Sequence, residues 1–286
     1  MNIQDSEAFA EGCFSSVQIV CEYMKNRWNN LIDPILPKPQ TGFRDACIKS
    51  LCLRAVAWMQ TLEKMNHTVC FQAVVSSNRS LLEIAVDLIL LHYDKTNLSG
   101  WKMHWWGQSE KLKACEETID FYRENGIPLP DMYEARQDFI HREKADIERM
   151  RTTLWPTKSG HPRRWTGKDL KDDIKQASDL HGNLVKKDLG VTLRELYQTE
   201  FRFMSWHAHS GLPGVWDVPA ESFSITCGSA FLMSADLGML CTKIVLKDFG
   251  LTDHLPDLDR EWDQLKEYRA KASFDVQMQR LGEIEI

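Results

Sequence analysis

"AESFSITCGSAFLMSADLGMLCTKIVLKDF", residues 220–249, decides the fold. It holds no proline, and its small residues Gly228, Ser229, Ala230, Ser234, Ala235 and Gly238 are set among leucine, isoleucine, valine, methionine and phenylalanine. Small side chains on a long apolar helix let neighbouring backbones come close, so this segment reads as the central helix of a helical core. Asp236 and Lys243 interrupt its most apolar part, as Glu83 and Asp87 interrupt "LLEIAVDLILL". Neither run therefore reads as a bilayer span, and no membrane partner is expected.

Helical spacing dominates on both sides of this segment. Apolar residues recur every three or four positions over about 5–31, and further helices are predicted over 43–65, 68–93, 110–123, 131–153 and about 258–272. "DPILPKPQTG" and "ENGIPLP" break the pattern, Asp131 after Pro130 reads as an N-cap, and the segment around Trp101–Gly107 stays unassigned. No strand-like alternation and no repeat appears. The fold class is all-α: a multi-helix bundle over 67–286 with an N-terminal helical extension over 1–66.

The chain has 286 residues, 43% of them hydrophobic and 27% charged, enough for a sizeable core without a metal or disulfide staple. Its net charge of −6 argues against non-specific wrapping of nucleic acid, which needs a broad basic face. Eight scattered cysteines with no C-x-x-C, and an opening "MNIQDSEAFAEG" without a basic-then-apolar pattern, read as a reduced, soluble, cytoplasmic protein. No Walker loop, no G-x-S-x-G, no dinucleotide-binding glycines and no paired E-x-x-H motif appear, so no cofactor and no metal site is expected.

Candidate chemistry gathers in "LRELYQTEFRFMSWHAHSG", residues 193–211. Thr192 is its expected N-cap. On a helix turning about 100° per residue, Ser205 falls at about 300° and His209 at about 340° from Arg202, so the three share a face continued by Glu195 and Gln198. His207 points about 140° away from Arg202. In "SSNRSLLEIAVDL", Arg79 and Glu83 stand four apart on one helix face. An ion pair in so apolar a segment needs further polar partners if buried, and the Arg202–His209 face is the expected one; a plain surface pair is the alternative. The basic loop "TKSGHPRRWTGK" joins Arg163, Arg164 and Trp165 to other cations, which suits RNA or nucleotide phosphates and base stacking. It suits equally a connector whose tryptophan docks on the protein.

"NRSLLEIAVDL", "RRWTGKDLKD" and "LRELYQTEFRFMSWHAHSG", in that order, resemble an uncharacterised bacterial helical family, a domain of unknown function. The shared pattern is R-x-x-x-E, W-x-G, then Tyr and S-x-x-x-H, matched here by Arg79 and Glu83, Trp165 and Gly167, Tyr197, Ser205 and His209. It covers roughly residues 70–245 and brings no activity with it. Arg202 and His209 (R-x6-H), or Arg202 and His207 (R-x4-H), are also similar to the signature of HEPN domains, all-helical proteins that often act as metal-independent ribonucleases. That likeness implies a homodimer with the arginine and histidine of two subunits apposed. Histidine would move the 2′-hydroxyl and leaving-group protons while arginine holds the phosphorane. Phe203, directly after the arginine, departs from the polar residue common there.

These residues support two main functional readings, beside a small-molecule or nucleotide site in the same polar pocket. One is an interaction or regulatory protein in which Arg79, Glu83, Arg202, Ser205 and His209 form a buried polar network. The other is a HEPN-like ribonuclease in which Arg202 and His209 are catalytic, Ser205, Arg79 and Glu83 assist, and Arg163, Arg164, Trp165, Tyr197 and His207 contact substrate.

Overall fold

A computed structural model describes residues 3–33, 42–65, 70–94, 96–156, 162–201 and 220–267. The fold is all-α, and among these residues there is no strand. In chain order the helices are α1 (Ile3–Arg27), α2 (Phe43–Lys64), α3 (Phe71–Tyr93), α4 (Asn97–Glu124), α5 (Glu134–Leu154), α6 (Leu170–Leu189), α7 (Leu193–Leu196), α8 (Ala220–Asp248) and α9 (255–267). Wider π turns extend α1 over Trp28–Ile32 and α7 over Tyr197–Phe201. The chain forms two compact units, one of Met1–Lys38, Ile48–Tyr93 and Ile174–Ile286, the other of Pro39–Cys47 and Asp94–Asp173.

In the larger unit α8 is the central element, with α1 and α3 packed along it. Its small residues do what the sequence implies. A side chain at Gly238 would lie 3.0 Å from the Met59 sulfur and 3.3 Å from Val20 Cγ1, so α1, α2 and α8 meet at that glycine. Phe14 sets its ring edge-on to Phe231, 5.3 Å away. Val17, Leu51, Met59, Leu82, Leu88 and Leu240 belong to the interior around it. One buried polar group of this core is satisfied between helices: Asn78 of α3 donates to the Ala230 carbonyl at 2.7 Å and accepts from the Ser234 hydroxyl. Cys227–Asp248 is long and apolar enough to cross a membrane, but 89% of its most apolar window is buried inside the protein. At the far end Arg27 reaches His254 (3.3 Å) and Asp257 (3.5 Å), joining α1 to the start of α9.

The smaller unit is built on the α4–α5 hairpin, whose core is Leu112, Cys115, Phe139 and Ile147 with Trp105 and Ile140 against it. Two local expectations change here. Residues 97–109, through which spacing assigns no element at Trp101–Gly107, are the first half of α4. Trp105 packs on the hairpin core, while Trp101 lies 6.3 Å from Trp105 and 4.6 Å from Phe43, so aromatic packing holds a helix that periodicity alone does not announce. Asp131 does not cap α5; it opens a single 3-10 turn, Asp131–Tyr133, and the α-helix starts at Glu134 with no side-chain cap.

Candidate functional site

Thr192 caps α7 as expected. Its hydroxyl accepts from the Glu195 amide at 3.1 Å while the Glu195 carboxylate accepts from the Thr192 amide at 2.7 Å, a reciprocal pairing that satisfies two orphan donors of the first turn. The regular helix then lasts only to Leu196 and opens into the π turn. Leu193, Leu196 and Phe201 are buried, a spacing of three and then five. An unbroken α-helix would have turned Glu200 inward; the extra residue of the wider turn gives that place to Phe201 instead. Glu195 and Gln198, which the uniform 100° count sets on the Arg202 stripe, are exposed. Tyr197 is half-buried with its ring stacked on Phe201, 5.0 Å between centroids. Arg202, Ser205, His207 and His209 lie outside the described residues.

Arg79 and Glu83 do pair, Nε to Oε1 at 3.3 Å, with side chains 39% and 34% exposed. The pair is half-buried, neither sealed in the core nor turned to bulk water. At that exposure an ion pair contributes under about 1 kcal/mol. The Arg79 guanidinium lies 5.6 Å over the Phe201 ring, so the α3 pair meets the segment that leads to Arg202.

Residues 162–168 of the basic loop are folded within the smaller unit, and residues 157–161 lie outside the described residues. Trp165 is buried, and its carbonyl accepts from the Trp155 indole at 3.1 Å. Gly167, at φ 77°, makes the turn behind it; a side chain there would be strained and would press on the Trp155 ring at 2.9 Å. Arg164 donates to Asp173 Oδ2 at 2.6 Å, and Thr166 donates to the same oxygen at 2.9 Å. Burial raises the Asp173 carboxyl above its ordinary value, with Arg164 and Thr166 opposing. The Arg164 charge is thus engaged with a buried carboxylate, and Trp165 offers no open face for stacking. Arg163 and Lys168 are the loop's exposed cations among the described residues.

Among the described residues a further buried polar cluster falls on α3, α6, α8 and α9. Lys243, in the apolar α8, donates to Asp188 at 2.9 Å and to Asp259 at 2.8 Å. The Lys243 and Asp188 side chains are each 6% exposed, and Asp259 is 46% exposed. Burial alone would lower the ammonium's pKa; the two carboxylates reverse this and leave it above the ordinary lysine value. Lys247, one turn on, is pushed down by burial and by Lys243. Beside them His92 pairs with Asp248 at 2.9 Å, and the Tyr93 hydroxyl meets His181 Nδ1 at 2.7 Å. His181 is 3% exposed. Burial, then Lys247 and His92, hold its imidazole down at about 4, so it is neutral near pH 7. Its Nε2 and the Asp188 Oδ2 are buried without a hydrogen-bond partner. The only sequence signal for this cluster is Lys243 itself, a cation in an apolar helix, which requires a carboxylate without saying which.

Chemically the cluster is an anchor. An ammonium clamped by two carboxylates stays charged and is neither a nucleophile nor a base near neutrality. Among the described residues no group of three or more histidine, cysteine, aspartate or glutamate side chains is arranged to hold a metal ion. No protein-family model, no curated protein and no solved structure matches the chain.

Proposed function

We propose that the protein acts by association, as an all-helical interaction or regulatory protein whose interior charges serve its own fold. The end of the α4–α5 hairpin carries this reading. Phe121, Ile127 and Met132 are exposed there, Met132 at 76%. The Tyr122 ring joins Phe121 (5.4 Å) to Tyr133 (5.6 Å), and the Arg136 guanidinium sits 4.6 Å over Tyr133. Grouped exposed apolar side chains mark contact surfaces, and aromatic, methionine and arginine side chains are the types enriched in them. With a photo-crosslinking residue at position 132, the full-length protein in its native cells is expected to form one discrete adduct. Phe121→Asp should remove the adduct without changing the melting temperature. A second copy of this chain is one partner the adduct's mass would reveal. Absence of any adduct, or an adduct indifferent to Phe121→Asp, ends this reading.

A second reading, a HEPN-like metal-independent ribonuclease acting through Arg202 and His209, is supported by one contact. Arg79 lies over Phe201, the residue that precedes Arg202. In this reading Arg202 holds the phosphate and His209 moves the protons. Purified protein is then expected to cut RNA in EDTA, leaving cyclic phosphate ends, and His209→Ala should abolish cutting. Undiminished cutting by that variant, or none by the wild type, removes it.

A further inference from the structure

The larger unit contains a cavity of 360 Å³ between α1, the α6–α7 turn and α8. Phe9, Leu189, Val191 and Leu196 line it from one side. Ser229, Leu232, Met233 and Asp236 of α8 line it from another; at spacings of three, four and seven they share one helix face. Leu237 and Glu200 complete the described wall, Glu200 on the solvent side of the π turn that buries Phe201. The volume lies within the range of small-molecule sites, roughly 300–1,000 Å³, and an apolar lining with few polar groups is their usual character.

Charge selects the ligand. The described lining holds two carboxylates and no cation. Asp236 accepts from the Trp262 indole at 3.0 Å. Glu200 forms no ion pair with a described residue, and its side chain is exposed, so its charge is available at the rim without a cost of burial. We propose that this cavity binds an amphipathic amine: an alkyl or aryl-alkyl body against Leu196, Leu232 and Met233, with the ammonium group at Glu200. An anionic amphiphile of the same length meets the same apolar walls but faces repulsion from the carboxylates. A neutral one gains the walls alone.

The three cases can be compared directly on the full-length protein by calorimetric titration with octylammonium, octanol and octanoate, each below its micelle concentration. Octylammonium is expected to bind at a single saturable site, with octanol weaker and octanoate weakest. A hydrogen-bonded charge at a partly solvated rim corresponds to about a fivefold difference in affinity, so Glu200→Gln should weaken octylammonium by about that factor and leave octanol unchanged. Val191→Trp, at a half-exposed position on the wall, should fill the cavity and remove binding of all three. Glu200 is exposed, so its glutamine variant keeps the fold and decides the matter even if the tryptophan variant does not. Octanoate binding as well as octylammonium, amine binding unmoved by Glu200→Gln, or no saturable binding would each overturn the proposal. The last outcome would also fit occupation of the cavity by another segment of this chain.

Discussion

Lys243→Met is expected to destabilise the protein by about 3–5 kcal/mol, read as a shift in the urea unfolding midpoint at constant slope. The substitution keeps most of the unbranched stem and removes the charge. Asp188, 6% exposed, is then left buried with one oxygen already lacking a partner and the other newly deprived of one. Asp259 is spared because it is 46% exposed and can turn to water. Nearly all of the loss therefore traces to Asp188. Lys243→Met combined with Asp188→Asn should recover a substantial part of it, since a neutral amide is far less costly to bury than an unpaired carboxylate. If the single variant does not accumulate folded, the double variant still supplies the comparison. A single variant within about 0.5 kcal/mol of wild type would mean that the clamp contributes nothing net, the result typical of a surface position.

His181 is expected to make the protein acid-sensitive in a definite window. Its ordinary value is 6.5 in the unfolded chain and about 4 in the fold, because burial, Lys247 and His92 disfavour the charged ring. The unfolded state therefore takes up the proton first as pH falls. The stability tied to the neutral ring is complete above pH 6.5 and is lost progressively down to about pH 4. The separation corresponds to about 3 kcal/mol. His181→Asn keeps a group able to bond the Tyr93 hydroxyl and cannot titrate. The difference in unfolding free energy between wild type and this variant should fall by about that amount across the window. A difference that stays flat would mean that His181 protonates in the fold as readily as in water. The Lys243 ammonium does not titrate in this window, since its value is raised above that of an ordinary lysine.

Much of the architecture is legible in the chain because it rests on local rules. The small residues of α8 forecast close packing, and Gly238 sits where three helices converge. Thr192 reads as an N-cap and is one, with Glu195 closing a capping box in the structure. The features that escape are set by distant contacts or by a single extra residue. The first half of α4 is held by Trp105 on the hairpin core and by Phe43 against Trp101, pairings that no short window of the chain contains. The π turn after Leu196 is invisible to a count that assumes equal steps. The candidate site divides in the same way. Arg79 and Glu83, four apart, pair as their spacing implies. Lys243 advertises a need for a carboxylate, but Asp188 and Asp259 stand 55 and 16 residues away. Trp165 and Arg164 read as equally suited to ligand or fold, and the indole is buried while the guanidinium holds Asp173.

The wider turn at Tyr197–Phe201 also makes chain length, rather than side-chain identity, the quantity that turns Phe201 inward. A relative of equal length with an ordinary turn there would send its residue 200 inward and turn its phenylalanine about 100° off the buried face. A relative one residue shorter would keep its phenylalanine inward on that ordinary turn. Aligning such chains without a gap would therefore superpose groups that do not coincide in space.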